Sequence, residues 1–154
     1  MAHPAPTVQP VNDFTDALVR VVRFATLPRF TERVAEEAGT HLDRSAYVLL
    51  AYLVEDRCRV GELAEHLCLD VSTVSRQVHA LEQRGLLGRE PHPTDRRGSV
   101  VGISPQGRKV VEQHRGARQE LFAELLSDIP PAELETVTSV LDELASRIET
   151  LAGA

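Results

Sequence analysis

The chain has 154 residues, of which 42% are hydrophobic and 26% charged, an ordinary composition for a globular protein. This length favours one compact unit with extensions over several domains. No stretch approaches ~18 uninterrupted apolar residues, which excludes a membrane-spanning helix, and two cysteines do not make a disulfide framework. The first ten residues lack the basic start and apolar core of a secretory signal, so we expect a cytoplasmic protein.

The net charge of −6 is distributed unevenly along the chain. Residues 1–56 carry a net −3, residues 57–118 a net +4, and residues 119–154 a net −7. The basic residues of the middle segment are Arg with a single Lys, and the guanidinium group suits fork-like recognition of phosphate and guanine. Because DNA binding depends on the local field of a patch, the basic middle segment indicates a nucleic-acid partner despite the acidic average.

Before the middle segment the sequence predicts a tail and three helices. Residues 1–11 contain three prolines and no apolar periodicity, so we expect a mobile tail. Asn12 or Asp13 then caps a first helix, whose apolar stripe includes Leu18 and Val21. A second helix follows over 29–38 and a third over 43–55.

The middle segment predicts two short helices joined by a three-residue turn. Residues 60–67 form the first helix and residues 71–84 the second, which Gly85 ends. Asp70, the last residue of the turn, is expected to cap the second helix with its side chain. Two short helices across such a turn form a helix-turn-helix motif.

The second of these helices has two contrasting sides. Its apolar side consists of Val71, Val74, Val78 and Leu81. Its opposite side carries Ser72, Thr73, Ser75, Arg76 and His79. A short, polar surface with one long Arg fits the major groove, where Arg pairs bidentately with guanine. A solvated face more often carries Glu and Lys, and here Glu82 is the only acid.

A polar hairpin follows the helix-turn-helix motif. Residues 86–91 and 99–103 read as strands, and residues 92–98 as the loop between them. The charged residues of that loop are Asp95, Arg96 and Arg97. The two arginines would reach the minor groove or the phosphates, and Asp95 would brace Arg97 through a charge-assisted bond.

Two long helices complete the chain. Ser104 and Pro105 form a cap and a first helical residue, and that helix extends to about residue 126. The last helix extends over 131–151 after two prolines. Its apolar residues step by three and four: Leu134, Val137, Leu141, Leu144, Ile148 and Leu151. This heptad spacing predicts a seam that packs against another helix, either in a second subunit or within a bundle of the same chain.

The hairpin resembles the wing signature of MarR-family transcription regulators. The matching residues are Asp95-Arg96-Arg97-Gly98, Val101, Ile103-Ser104 and Gly107. Ile103 and Ser104 replace the family's Leu and Thr, which preserves an apolar strand end and a hydroxyl cap. The motifs around residues 63–64 and 71–76 also lie where the family places its DNA-binding helices, and the resemblance spans about residues 12–151.

The resemblance implies a mainly α-helical fold, a winged helix-turn-helix with long N- and C-terminal dimerisation helices and a small wing hairpin. Residues 12–154 would form one unit, with 43–104 as the DNA-binding lobe and 12–38 and 105–151 as the dimerisation region. The expected dimer contacts are Leu18, Val21, Leu134, Val137, Leu141, Leu144 and Ile148. The implied function is a homodimeric repressor on a near-palindromic, double-stranded operator.

The family often binds small phenolic or anionic effectors in a cleft between the dimer helices and the DNA lobe. Arg23, His41 and Tyr47 are candidates to line such a cleft here, and each also has an ordinary structural interpretation. A redox-responsive regulator using Cys58 and Cys68 is an alternative. For that role the arginines flanking Cys58 favour a reactive thiol, whereas the leucines flanking Cys68 indicate burial.

Other classes of function find little support in the sequence. The spacing of His66, Cys68 and Cys58 does not match a closed zinc site, so we expect neither a metal nor another cofactor. No motif for phosphate binding or nucleophilic catalysis is present, which argues against an enzyme. A helical dimer that binds a protein partner without DNA stays open as an alternative.

Overall fold

A computed structural model describes residues 8–40, 42–91 and 99–152 of the chain. Across these ranges, the chain forms helices and one antiparallel hairpin. The elements are α1 (Val8–Ala25), α2 (Pro28–Glu37), α3 (Arg44–Glu55), α4 (Val60–His66), α5 (Val71–Gln83), β1 (Leu87–Pro91), β2 (Ser99–Ile103), α6 (Pro105–Leu125) and α7 (Pro131–Ala152). The predicted mainly helical winged helix-turn-helix fold is confirmed.

Helix α1 begins at Val8, four residues before the predicted cap. The expectation of a tail over 1–11 is therefore wrong for residues 8–11, and residues 1–7 lie outside the described part of the chain. Pro10 is tolerated in the first turn because the first four N–H groups of a helix have no intrahelical acceptor. Asp13 is consequently not a cap, and its carboxylate accepts a hydrogen bond from Gln9 at 2.9 Å.

The chain divides into two compact units, Met1–Arg118 and Gln119–Ala154. The core of the first unit lies between α3, the helix-turn-helix motif, the hairpin and α6. Its most deeply buried side chains are Leu49, Leu50, Leu53, Leu63, Val74, Val78, Val101 and Val111. Because each such side chain contributes ~1.5–3 kcal/mol when it leaves water, this core fixes how α5 lies against its neighbours.

Specific residues mark where helices of the first unit begin and end. The Asp43 side chain caps α3, which was predicted to start at this residue, and accepts a hydrogen bond from the Ala46 N–H at 2.8 Å. Gly39 and Gly85 follow α2 and α5 with φ of 59° and 70°, the left-handed conformation that ends many helices. Backbone hydrogen bonds between Cys58 and Val101 add a bridge beside β2 that the sequence did not predict.

In the second unit, α7 is a 22-residue helix whose apolar side chains face outward. Val137, Leu141 and Ile148 are 55%, 40% and 54% exposed, and Leu134 and Leu144 are half-buried. None of the described helices is both long and apolar enough to cross a membrane.

Candidate nucleic-acid interface

The helix-turn-helix motif is held together by its apolar sides. Leu63 of α4 and Val74 and Val78 of α5 are fully buried in the common core. Cys68 makes the turn between the helices at a φ of 52°, and the Leu69 N–H bonds back to the carbonyl of Ala64 at 2.9 Å. This tight connection fixes the angle between α4 and α5.

The start of α5 differs from prediction in two respects. Asp70 precedes the helix, but its side chain makes no capping hydrogen bond, and its backbone carbonyl accepts from Thr73 and Val74 instead. Val71 was expected on the buried side and is 54% exposed. As the first residue of the helix, it projects past the end of the core, so periodicity alone misplaced it.

The polar side of α5 is open to solvent. Ser72, Ser75, Arg76 and His79 are exposed, and Thr73 is half-buried. The Arg76 guanidinium donates a hydrogen bond to the Thr73 hydroxyl at 3.4 Å and makes no ion pair within the described ranges. His79 contacts Gln83 at 3.0 Å between side-chain nitrogens. An unpaired guanidinium among small polar groups is suited to donate to a base edge or a phosphate.

The base of the wing is anchored to the helix-turn-helix motif. Ser104 donates its hydroxyl hydrogen to the carbonyl of Gly85 at 2.7 Å and accepts from the Gly107 N–H at 3.0 Å. A Cβ on Gly107 would lie 2.2 Å from the carbonyl oxygen of Leu86 and 2.8 Å from Ile103. Only glycine therefore allows the start of α6 to pack so closely beneath the wing.

The wing strands pair from Leu87 with Ile103 to Pro91 with Ser99. The predicted loop residues Asp95, Arg96 and Arg97 lie outside the described residues. Two ion pairs flank β1: Arg89 with Glu82 of α5, and Glu90 with Arg57. These pairs were not predicted from the sequence. The sequence did contain a signal for them: Arg89 and Glu90 are adjacent residues of opposite charge on one strand, and Glu82 is the only acid of α5.

The three candidate effector residues are not shown to share a cleft. Tyr47 stacks on His114 of α6 with ring centroids 4.6 Å apart, and the Arg118 guanidinium lies 5.5 Å from the centre of the Tyr47 ring. Arg23 instead lies over the ring of its neighbour Phe24. His41 is outside the described residues.

His114 is the buried polar side chain of this cluster. It is 7% exposed, and neither ring nitrogen has a hydrogen-bond partner among the described residues. Burial lowers the pKa of His114 below its ordinary value, and the nearby positive charge of Arg118 lowers it further. The imidazole is therefore held in its neutral form against Tyr47.

The structure reverses both expectations for the cysteines. Cys58 is buried, and its burial raises the pKa of the thiol, with Glu62 and Asp56 raising it further despite the flanking arginines. Cys68 is exposed rather than buried, because its left-handed turn carries it away from the core. A thiol held protonated is a poor nucleophile, so Cys58 is unsuited to redox sensing. The described residues contain no cluster that could hold a metal ion.

Leu18 and Val21, the predicted dimer contacts on α1, are half-buried and 58% exposed respectively. Val22 and Phe24 of the same helix are also more than half exposed. Helices α1 and α7 thus each carry large apolar side chains that no described element covers.

Comparison with known proteins agrees with this architecture. The model of the MarR family matches residues 44–99, from the start of α3 into the wing. The HTH-type transcriptional regulator YxaD of Bacillus subtilis is 35% identical over 111 residues, covering 71% of this chain and 78% of that protein. The HTH-type transcriptional regulator Mb0904 of Mycobacterium bovis is 31% identical over 135 residues, covering 88% and 92%.

The same architecture occurs in solved structures. A MarR family protein from Bacillus stearothermophilus superposes with a TM-score of 0.79 at 21% identity, covering 94% of this chain and 99% of that one. Sequence identity extends well beyond the helix-turn-helix motif in the relatives, and the fold matches over nearly the whole chain. The chain therefore belongs to the MarR family and is a DNA-binding transcriptional regulator rather than an enzyme.

Proposed function

We propose that the protein is a homodimeric repressor that binds a near-palindromic operator and releases it when a small molecule binds. The observation that carries the proposal is the exposed polar face of α5, on which Arg76 has no ionic partner within the described ranges. Arg76 makes the main base contact by bidentate donation to guanine. Ser72, Thr73, Ser75 and His79 contact phosphates and neighbouring base edges around it.

The wing adds contacts to the DNA backbone or the minor groove through Arg96 and Arg97, with Asp95 orienting Arg97. The ends of β1 and β2 lead directly into this loop, and the base of the hairpin is fixed against α5 and α6. These supports favour a wing that engages DNA together with α5.

Dimerisation supplies the second half of the interface. The exposed apolar residues of α1 and α7 need a covering surface, and a second copy of the chain offers the same residues in return. In that dimer, residues 12–154 of each subunit form one unit, and the two subunits together present two DNA-binding lobes. Two α5 helices can then enter successive major grooves about 34–36 Å apart, which doubles the contacts of a single motif.

An effector acts in this scheme by changing the spacing of the two lobes. It shifts the equilibrium only by its difference in affinity for the bound and released spacings. Tyr47 is the candidate contact with most support, because Arg118 offers a positive charge beside the stacked rings of Tyr47 and His114. An aromatic anion suits these groups, and Arg23 and His41 stay candidates from the sequence.

Fluorescence anisotropy with a labelled DNA fragment from just upstream of the protein's own gene tests the proposal. The measurement uses two salt concentrations and excess nonspecific competitor. We expect saturable, competitor-resistant binding by one dimer per site, weakened at the higher salt. The same assay then screens phenols, oxidants and metals for release of the DNA.

Selection of binding sites from random DNA completes the test, because the operator need not lie beside the gene. An enriched near-palindrome supports the proposal. Failure to enrich any sequence, together with no binding to the upstream fragment, would overturn it and favour a module that binds a protein partner.

A further inference from the structure

The two strands of the wing are held in different ways. Leu86 and Leu87 at the base are buried, and in β2 Val100 is buried and Val101 fully buried. Beyond Leu87, every residue of β1 is exposed. A two-stranded ribbon is marginally stable by itself, so β1 beyond Leu87 needs contacts other than its pairing with β2 to keep one direction.

One such contact joins the wing to α5. The Arg89 Nε atom lies 2.7 Å from the Glu82 Oε1 atom, in the last turn of the helix. The Glu82 side chain is 21% exposed and the Arg89 side chain 41%, so this pair is better shielded from water than an ordinary surface pair. The ion pair links the strand that leads to the wing loop with the helix that carries Arg76.

A second contact acts on the other face of the same strand. Glu90 follows Arg89, and successive strand residues point to opposite faces. Glu90 pairs with Arg57, whose neighbour Cys58 is bonded to β2 through its backbone. This second pair is more than half exposed on both sides, so we expect it to contribute less than the first.

We propose that Glu82 and Arg89 are positioning residues that fix the direction of the wing relative to α5, with Arg57 and Glu90 supporting the opposite face. The wing loop and the α5 face then meet one DNA duplex together, without an ordering cost at binding. This inference rests on the proposed DNA-binding function. Neither Glu82 nor Arg89 touches the bases.

Because Glu82 is negatively charged, the two possible roles predict opposite changes in DNA affinity when that charge is removed. An acid on the DNA-reading helix repels phosphates, so its removal alone should tighten binding to any DNA. Loss of a positioning contact should instead weaken binding to the operator, where wing and helix must fit at once. Glu82→Gln thus separates a positioning role from a bystander charge.

The experiment compares the affinities of the full-length protein for the selected operator and for a nonspecific duplex. For Glu82→Gln we expect operator binding to weaken roughly fivefold while nonspecific binding is unchanged or tighter. Glu65→Gln is the matched control. It removes the same charge from an exposed position of α4, and Glu65 makes no ion pair with any described residue. The control should bind both duplexes at least as tightly as the wild type.

Exchange of the two charges provides a rescue. Arg89→Glu alone places two acids together and should weaken operator binding more than Glu82→Gln. The double variant Glu82→Arg with Arg89→Glu keeps the net charge and should recover most of the operator affinity. Operator binding by Glu82→Gln as tight as by Glu65→Gln, or no recovery in the double variant, would overturn the positioning role.

A measurement without DNA separates this inference from the proposed function. Amide hydrogen exchange in β1 and β2 should be several-fold faster in Glu82→Gln than in Glu65→Gln. If the wild type binds no DNA, the proposed function fails, yet the exchange rates still test the link between the wing and α5. Equal exchange in the two variants would contradict that link.

Discussion

The DNA-binding lobe buries its large apolar side chains, whereas the last helix leaves most of its own exposed. Leu49 and Val101 in the lobe are 0% exposed, whereas Val137 and Ile148 of α7 are 55% and 54% exposed. The lobe therefore completes its core within one chain. The apolar stripe of α7 is left uncovered by the described residues, which is the pattern of a helix that packs against a further surface.

Charge separates the same two regions. Residues 57–118 carry a net +4 and residues 119–154 a net −7. Salt screens both fields, so it should weaken the attraction of the lobe to DNA and relieve repulsion between two acidic C-terminal segments. We therefore expect the proposed dimer to lose DNA affinity as salt rises without dissociating into monomers.

The largest effect is expected where α7 is uncovered. Leu141→Arg places a charge in the centre of the proposed seam, twice in a dimer, and should convert the dimer to monomers because an unpaired buried charge is very costly. Sedimentation equilibrium measures the change. Ser139→Arg, on the opposite side of the same helix, is the control and should remain dimeric. An intact dimer in Leu141→Arg would refute the seam.

The closed core of the lobe is tested by two glycines of one helix. Gly107→Ala should destabilise the protein by about 1–3 kcal/mol, because its Cβ would overlap the Leu86 carbonyl oxygen. Urea unfolding gives the free energy of unfolding. Gly116→Ala is the matched control, since nothing lies within 4 Å of its added Cβ. It should be neutral or stabilising by up to ~1 kcal/mol. Equal stability of the two variants would contradict the close packing.

The exposed face of the lobe is tested at Arg76. Arg76→Ala should cost ~1–3 kcal/mol of operator binding and relax sequence preference at one position. Arg76→Lys preserves the charge but loses the planar fork, so it should keep nonspecific affinity and still lose the preference. Competition anisotropy against single-base operator variants measures both effects. Unchanged operator affinity in Arg76→Ala would reject the base contact.

A smaller effect is expected from the wing loop. Arg97→Ala should weaken operator binding and lower the slope of log affinity against log salt by ~0.9, the value of one phosphate contact. Lys109→Ala is the control: it removes one positive charge from an exposed position of α6 and should leave the slope unchanged. A slope in Arg97→Ala equal to that of the wild type would speak against a backbone contact.

The smallest effect concerns buried His114 in the first unit. Because its pKa is lowered in the folded protein, the unfolded chain binds the proton more readily. The stabilising effect of the neutral ring is complete above about pH 6.5 and is lost as the pH falls below that value, by at most ~1.4 kcal/mol per pH unit. His114→Phe should flatten this dependence in urea unfolding at pH 7.5 and 5.5.

The sequence predicted the order of helices and strands because their signals are local. Gly85 and the Ser104-Pro105 pair mark boundaries through backbone conformation and capping, which depend on a few neighbouring residues. The polar face of α5 likewise follows from helical periodicity. Periodicity failed at Val71, since burial also depends on how far the core extends beneath a helix end.

The sequence by itself determined the winged helix-turn-helix fold, the placement of Arg76 opposite the apolar side of α5, and the uninterrupted apolar stripe of α7. Only the tertiary structure decided that Cys58 is buried beside β2, that His114 stacks on Tyr47, and that Glu82 meets Arg89. Periodic patterns report on one element at a time. Contacts between elements depend on packing, because side chains far apart in the chain become neighbours only when the core closes.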